Sequence, residues 1–273
     1  MGKFFTVEVL GDIVNGDVSN VQNANKGHLD ISAGDVLFDW TPVDVPKGTN
    51  MLRSIIMTVN GEDASSHGTG LSGYQLLFAK SNNGNAPDSL GAVNSAYGNE
   101  DTPDLRSLAV GTVVIDPTAH SVPRYANGHM YNLNMDHSLR GDDDLEQNGG
   151  GLPIVMTLEP DSGTNVGFDK LYVACILDEN ARGFHTGVVV NGAITSDTED
   201  VITVDGVDAN RIFSVGDTVY LHDVDTALGT VKSINDAGTR ITLNAAIAGG
   251  TDLADDDELI NANPIRITLG FER

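Results

Sequence analysis

The sequence predicts an all-β protein: an antiparallel β-sandwich, jelly-roll-like, with a small β-barrel inserted near its C-terminal end. Three observations lead there. Apolar residues recur with period two at both ends: Phe5, Val7 and Val9 alternate with Thr6 and Glu8, and Ile265, Ile267, Leu269 and Phe271 alternate with Arg266, Thr268 and Gly270. Thirty Asp and 31 Gly stand against nine Glu and six Lys in 273 residues. Asp and Gly serve turns, whereas Glu and Lys fill helix surfaces. Finally, short strand-like runs follow one another closely between residues 200 and 250.

Taken in order, the strand-like runs after the first are Val36–Trp40, Met51–Val59, Tyr74–Ala79, Val110–Ile115, Met130–Met135, Pro153–Glu159, Lys170–Leu177 and Gly187–Ile194. Most are bounded by Gly, Asn, Asp or Pro, as strands are. Met130–Met135 alternates Tyr131, Leu133 and Met135 with Asn132 and Asn134, the pattern of a half-exposed strand. Leu171–Leu177 is apolar on both faces and reads as a central strand covered on each side, with Cys175 a buried thiol. Helical periodicity is confined to Leu253–Ile260 and Ser138–Gln147, and the acids Asp255–Glu258 suit a first helical turn. The connections Ser81–Leu105 and Asp136–Leu152 are long enough to be interaction surfaces.

A polar break at Ser196–Asp200 precedes Val201–Val204, Phe213–Leu221, Leu228–Ile234 and Arg240–Leu243, a barrel of about five strands. Pro264–Phe271 then returns to the larger sheet. Residues 1–195, completed by 263–273, are therefore expected to form the main sandwich, and 196–262 the inserted barrel.

Charge narrows the partners. Fifteen Lys and Arg against 39 Asp and Glu leave a formal charge of −24, with no basic run to offset it. Such a surface repels phosphate backbones and anionic lipid, so neither nucleic acid nor membrane is an expected partner. No 18 apolar residues run together, and the opening segment meets Gly11-Asp12 too soon for a secretory h-region. Met1-Gly2 with Thr6 nominally fits the myristoylation pattern, but these residues also read as a strand. One cysteine permits no intrachain disulfide and no multi-Cys zinc site.

Little in the chain carries chemistry. In the loop Arg140–Gly149, Asp142, Asp144 and Glu146 could offer oxygens to Ca²⁺. The EF-hand order fails there, since no Gly follows at position six nor Glu at position twelve, and a solvated acidic loop is the simpler reading. His222-Asp-Val-Asp225 sits where a hairpin turn belongs. The seven His are dispersed; His129 and His137 flank one strand without H-x-H or H-E-x-x-H spacing. Gly68, Gly70 and Gly73 spell G-x-G-x-x-G, but a strand follows where a dinucleotide site needs a helix. No catalytic or cofactor-binding residue is assigned, and the chain is not expected to be an enzyme.

The stretch FSVGDTVYL…LGTVKSINDAGTRITLNAAI resembles small β modules within virion structural proteins of tailed bacteriophages and archaeal tailed viruses. There a "sVGDtV" strand leads to a "GtV-sI" strand, an Asp/Gly turn and an "ITL" strand; the match covers roughly residues 200–250. The resemblance implies a capsid decoration (cement) or minor capsid subunit on the virion exterior, made in the host cytoplasm. Its partners would be the major capsid protein or other virion subunits, and it would itself form a dimer or trimer. Phe4–Val9 and the two long connections are the expected contact segments. A receptor- or carbohydrate-binding tail component and a β-sandwich metal-dependent enzyme are the alternatives.

Overall fold

The computed structural model describes residues 2–15, 28–61, 73–82, 84–97, 107–116, 121–125, 128–134, 152–159, 168–179, 182–185, 187–195, 198–206, 209–222, 226–247 and 251–273. In chain order the strands of the larger unit are β1 (Phe4–Gly11), β2 (His28–Ile31), β3 (Val36–Pro46), β4 (Thr49–Asn60), β5 (Gly73–Lys80), β6 (Ala109–Ile115), β7 (Ser121–Tyr125), β8 (Gly128–Asn134), β9 (Ile154–Thr157), β10 (Phe168–Glu179) and β11 (Arg182–His185). Then come β12 (Gly187–Val189), β13 (Val201–Thr203), the short helix α1 (Ala209–Ile212), β14 (Thr218–Leu221), β15 (Thr226–Ile234), β16 (Arg240–Leu243), β17 (Glu258–Asn261) and β18 (Ile265–Glu272). Among the described residues no helix is long and apolar enough to cross a membrane.

One sheet runs β1-β18-β4-β8-β7, with β9 on the first part of β4; the facing sheet runs β3-β10-β5-β6. Take β1, β3, β4, β5, β6, β8, β10 and β18 as first to eighth. The orders are then first-eighth-third-sixth and second-seventh-fourth-fifth, with every pairing antiparallel. That is the two-sheet jelly roll. β2 and β11 form a separate two-stranded ribbon.

The period-two signal maps directly onto this sandwich. Ile265, Ile267, Leu269 and Phe271 of β18 face the core, and Arg266, Thr268, Gly270 and Glu272 face outward. β1 pairs with β18 along its whole length, from Phe4↔Glu272 to Gly11↔Ile265, and Phe5 stacks on Phe271 with ring centroids 5.2 Å apart. Tyr131 and Leu133 of β8 are buried, as their alternation requires, and Tyr131 meets Tyr74 edge-on at 5.4 Å.

β10 lies between β3 and β5 and is buried from Leu171 to Leu177. Leu171, Val173, Cys175 and Leu177 join the main core. On its other face Ala174 and Ile176 meet Leu90, Trp40 and Tyr97. The described part of the 81–105 connection thus folds over its own sheet. Asn94 N donates to Val36 O at 2.9 Å, Leu90 N to Asp39 Oδ1 at 3.1 Å, and the Trp40 indole N–H to Asp88 O at 2.9 Å.

Where β1 crosses towards β3, only glycine fits. A Cβ on Gly11 would overlap the ring of the fully buried Phe38, coming within 2.7 Å of its Cε1. Gly11→Ala is expected to cost about 1–3 kcal/mol, the usual penalty of overpacking a rigid site. Urea denaturation of the variant measures it, and an unchanged midpoint would refute this close approach.

The second unit is a six-stranded sheet in the order β12-β17-β14-β15-β16-β13. Its two ends meet: Val190 bridges Val204, Asn191 N donates to Thr203 O at 2.9 Å, and Asp205 N to Val189 O at 2.8 Å. The sheet thereby curls into a small barrel around its own core, which includes Phe213, Val219, Leu243 and Leu259. Beyond the four runs read from the sequence, two further strands take part: β12, which lies N-terminal to the polar break, and its partner β17, where a helix was expected.

Two local expectations fail here. Phe213–Leu221 is not one strand: α1 ends at Ile212, Val215-Gly216 turns, and pairing begins only at Thr218. Leu253–Ile260 is not a helix but a bridge at Leu253, a turn at Asp255-Asp256 and then β17. The acids are the reason. Asp257 Oδ2 accepts from Ala254 N at 2.6 Å, Asp255 Oδ1 accepts from Gly192 N at 2.6 Å, and Asp256 takes φ +70°, which a helix cannot hold. β17 is buried at all four positions, and such a strand has no period to separate it from a helix. The second helical candidate, Ser138–Gln147, lies outside the described residues.

Candidate functional site

The barrel joins the jelly roll through a polar junction built from the end of β1 and the start of β18. Asp217 is 1% exposed and accepts three hydrogen bonds: from Ser214 N at 2.7 Å, Asn261 Nδ2 at 2.9 Å and Arg266 Nη2 at 3.2 Å. Burial pushes its carboxyl up to about 6, against the opposing pull of those donors and of the Arg266 charge. Arg266 also donates to Val215 O at 2.6 Å and lies 3.5 Å from Glu8 Oε1. It thereby ties β18 and β1 to the turn that opens β14.

Two asparagines complete the junction. Asn261 Nδ2 reaches Ile212 O at 2.6 Å, and its Oδ1 accepts from Asn263 N at 2.7 Å. Asn263 Oδ1 accepts from Thr218 N at 2.9 Å, and its Nδ2 donates to Gly11 O at 3.3 Å. Asn60 of β4 adds a bond to Ser214 Oγ at 2.8 Å. The network satisfies polar groups between the two cores and so fixes how the barrel sits on the sandwich. Sequence reasoning passed over these residues. Their signal was an Asn beside Leu259-Ile260 and an Asp in the VGD turn, polar types set in otherwise apolar surroundings.

At the opposite end of β1 and β18 lies a surface cleft of about 410 Å³, bounded by Phe4, Thr6, Arg53, Ser54 and Gly270. Gly270 is its floor, where β4 bulges and sets the Ser54 hydroxyl against the place a Cβ would take. Arg53 Nε donates to Glu272 Oε2 at 2.7 Å. An outward row crosses four strands in register, Phe4–Glu272–Met51–Val155, with Phe4 72% and Val155 57% exposed. Lys3 pairs its backbone with Arg273, Arg273 Nη2 lies beside Gly48, and Lys47 precedes Gly48 in the β3–β4 turn. Arg53 lines the cleft, where it pairs with Glu272, while Lys3, Arg273 and Lys47 stand in the adjoining strand ends and the β3–β4 turn.

The other sequence candidates are placed as follows. Asp142, Asp144, Glu146 and His137 lie outside the described residues, as do Gly68 and Gly70; Gly73 opens β5. His129 is buried beside Tyr131, with ring centroids 6.3 Å apart. Cys175 is buried, and desolvation pushes its thiol up, away from the thiolate a nucleophile needs. His222 ends the β14 side of a hairpin whose strands pair at Leu221↔Thr226; Asp223–Asp225 lie outside the described residues. Its Nε2 is 3.9 Å from Glu258 Oε2, both groups being largely buried. Among the described residues no three His, Cys, Asp or Glu gather as metal ligands.

Family comparison adds little to this geometry. No family model matches the chain, and no curated protein matches it. Among solved structures, one of the infectious bursal disease virus Gt strain is similar at 8% identity with a TM-score of 0.18, covering 99% of this chain and 42% of that one. The chain thus spans under half the length of that protein, and at so low a score the jelly-roll assignment rests on strand order alone.

Proposed function

We propose that the chain is a virion structural protein, a decoration (cement) or minor capsid subunit that works by binding other subunits. The observation that carries this is the jelly roll itself, with a barrel inserted between β10 and β18. Jelly rolls serve shells, lectins and cupins, so the choice among those three turns on surfaces. A sugar site calls for exposed aromatic faces. Among the described residues Phe38, Tyr74, Phe78, Tyr131, Phe213 and Phe271 are consumed in the cores and Trp40 is packed with its N–H bonded, which leaves Phe4 and Phe168 as the exposed rings, on different strands. A cupin-type centre calls for clustered metal ligands, and among the described residues no three His, Cys, Asp or Glu gather. What the surface does offer is a cleft walled by the exposed Phe4 and the Arg53–Glu272 pair, apolar and charged groups side by side as in a protein contact. The resemblance of residues 200–250 to virion modules points the same way, and the acidic exterior keeps such a subunit soluble before assembly.

The test is co-sedimentation of the purified chain with assembled virion shells, read together with the melting temperature of the shells. Saturable attachment that raises shell melting is expected. A chain that never adheres to shells, or that instead binds glycans on an array, would sink the proposal.

A further inference from the structure

The molecule is electrically lopsided along one axis. Residues 187–262 hold fourteen acidic side chains against three basic ones. At the start of β17 the turn 252–257 presents Asp252, Asp255 and Asp256 to solvent. From that turn the chain runs through β17 to Asn263, which bonds to Gly11, and then along β18 to Arg273. β18 alone, with eight residues, spans about 27 Å. The cleft beside Phe4, lined by Arg53 with its partner Glu272 and bordered by the paired Lys3 and Arg273 chain, stands at the far end of that strand, and Lys47 lies in the turn that Arg273 reaches. Acidic turn and basic corner are therefore kept apart within one chain.

We propose that the Phe4–Arg53–Gly270 cleft is a docking surface for a second copy of this chain, which inserts its Asp252–Asp257 turn. Charge complementarity selects the occupant. In a chain of net charge −24, two copies repel over most of their surfaces, and this corner is where basic residues gather around exposed apolar ones. Phe4, Met51 and Val155 supply the apolar part of the contact, and the Lys and Arg residues form its rim. Gly270 leaves the floor open, and the turn is pre-shaped by the Asp255 and Asp257 hydrogen bonds, so little order is lost on docking. Because the two patches differ, the contact is head-to-tail; it closes into a ring or continues as a row. It requires no shell and is independent of the virion proposal.

The experiment is sedimentation of the full chain alone, over a range of concentrations at two salt levels. At about 0.15 M salt, where the screening length is about 8 Å, long-range repulsion is damped while close ion pairs survive. Association is expected there, and its loss at about 1 M, where that length falls to about 3 Å. Lys3→Glu with Arg273→Glu, both exposed, is expected to weaken association roughly tenfold or more. Asp252→Lys with Asp256→Asn, which spares the turn's own hydrogen bonds, is expected to do the same. A mixture of the two variants should form one-to-one pairs, because each retains the patch the other lacks. Circular dichroism establishes that both variants are folded. A strict monomer at both salt levels, or association indifferent to both double variants, would overturn the proposal; shell binding would remain a separate measurement.

Discussion

Replacing Phe271 with alanine is expected to destabilise the protein by about 3–5 kcal/mol, lowering its melting temperature by roughly 10 °C or more. Phe271 is 1% exposed and stacks on Phe5 at 14° between ring planes. It belongs to β18, between β1 and β4, so neither neighbour can close the void without giving up register. The control lies one residue away in the pairing ladder. Phe4, opposite Glu272, points outward and is 72% exposed, so Phe4→Ala should stay within about 0.5 kcal/mol of the parent. Chemical denaturation of both variants measures the contrast. Equal effects would refute the assignment of Phe271 to the inward face and Phe4 to the outward one.

The second large effect concerns Asp217. Its carboxyl titrates near 6 in the fold and near 3.8 without it. Below 3.8 the group is protonated in both states and costs nothing. As pH rises towards 6 the unfolded chain releases its proton first, so stability falls; above 6 the penalty is constant. About two pH units correspond to ~3 kcal/mol as an order of magnitude. Other carboxylates titrate in the same range, so the quantity to measure is a difference. The stability of the parent minus that of Asp217→Asn should decline between pH 4 and about 7 and then level off. A difference that stays flat with pH would refute the assignment. Arg266→Leu tests the partner. At neutral pH it strands a carboxylate that is 1% exposed, at an expected cost of about 3 kcal/mol, and by pH 4 most of that cost should vanish.

Strand content and the inner face of each strand were legible because alternation survives wherever one face of a strand is wet. The two end strands read correctly from their alternation, and β10 betrayed its covered position by being apolar on both faces. The failures are equally physical. Glu258–Asn261 is sealed on both faces and flanked by acids, so period and charge together imitated a helix start. α1 has four residues, too few to show any period. β12 was read with the strands before it because nothing local records that its hydrogen bonds go to a strand about 70 positions later. The candidate surfaces were legible only in part. Phe4–Val9 was singled out as a contact segment, and Phe4 does border the cleft. Lys3, Lys47, Arg53 and Arg273, however, are scattered over the sequence, and only the folded sheet gathers them at one corner.

Inserting a barrel ahead of β18 also sets a timetable. β1 is made well before its partner, which emerges more than 250 residues later. At ordinary elongation rates that interval is about 10–50 s. Throughout it Phe5, Val7 and Val9 lack the ladder that will hold them, although the barrel's β14–β15–β16 meander, local in sequence, can already form and needs only β17 to close. The sandwich is therefore completed after the barrel, when the last strand slides between β1 and β4. A nascent chain halted before Ile265 would carry a finished barrel on an open sheet with two unpaired inner edges, the species most exposed to misassembly.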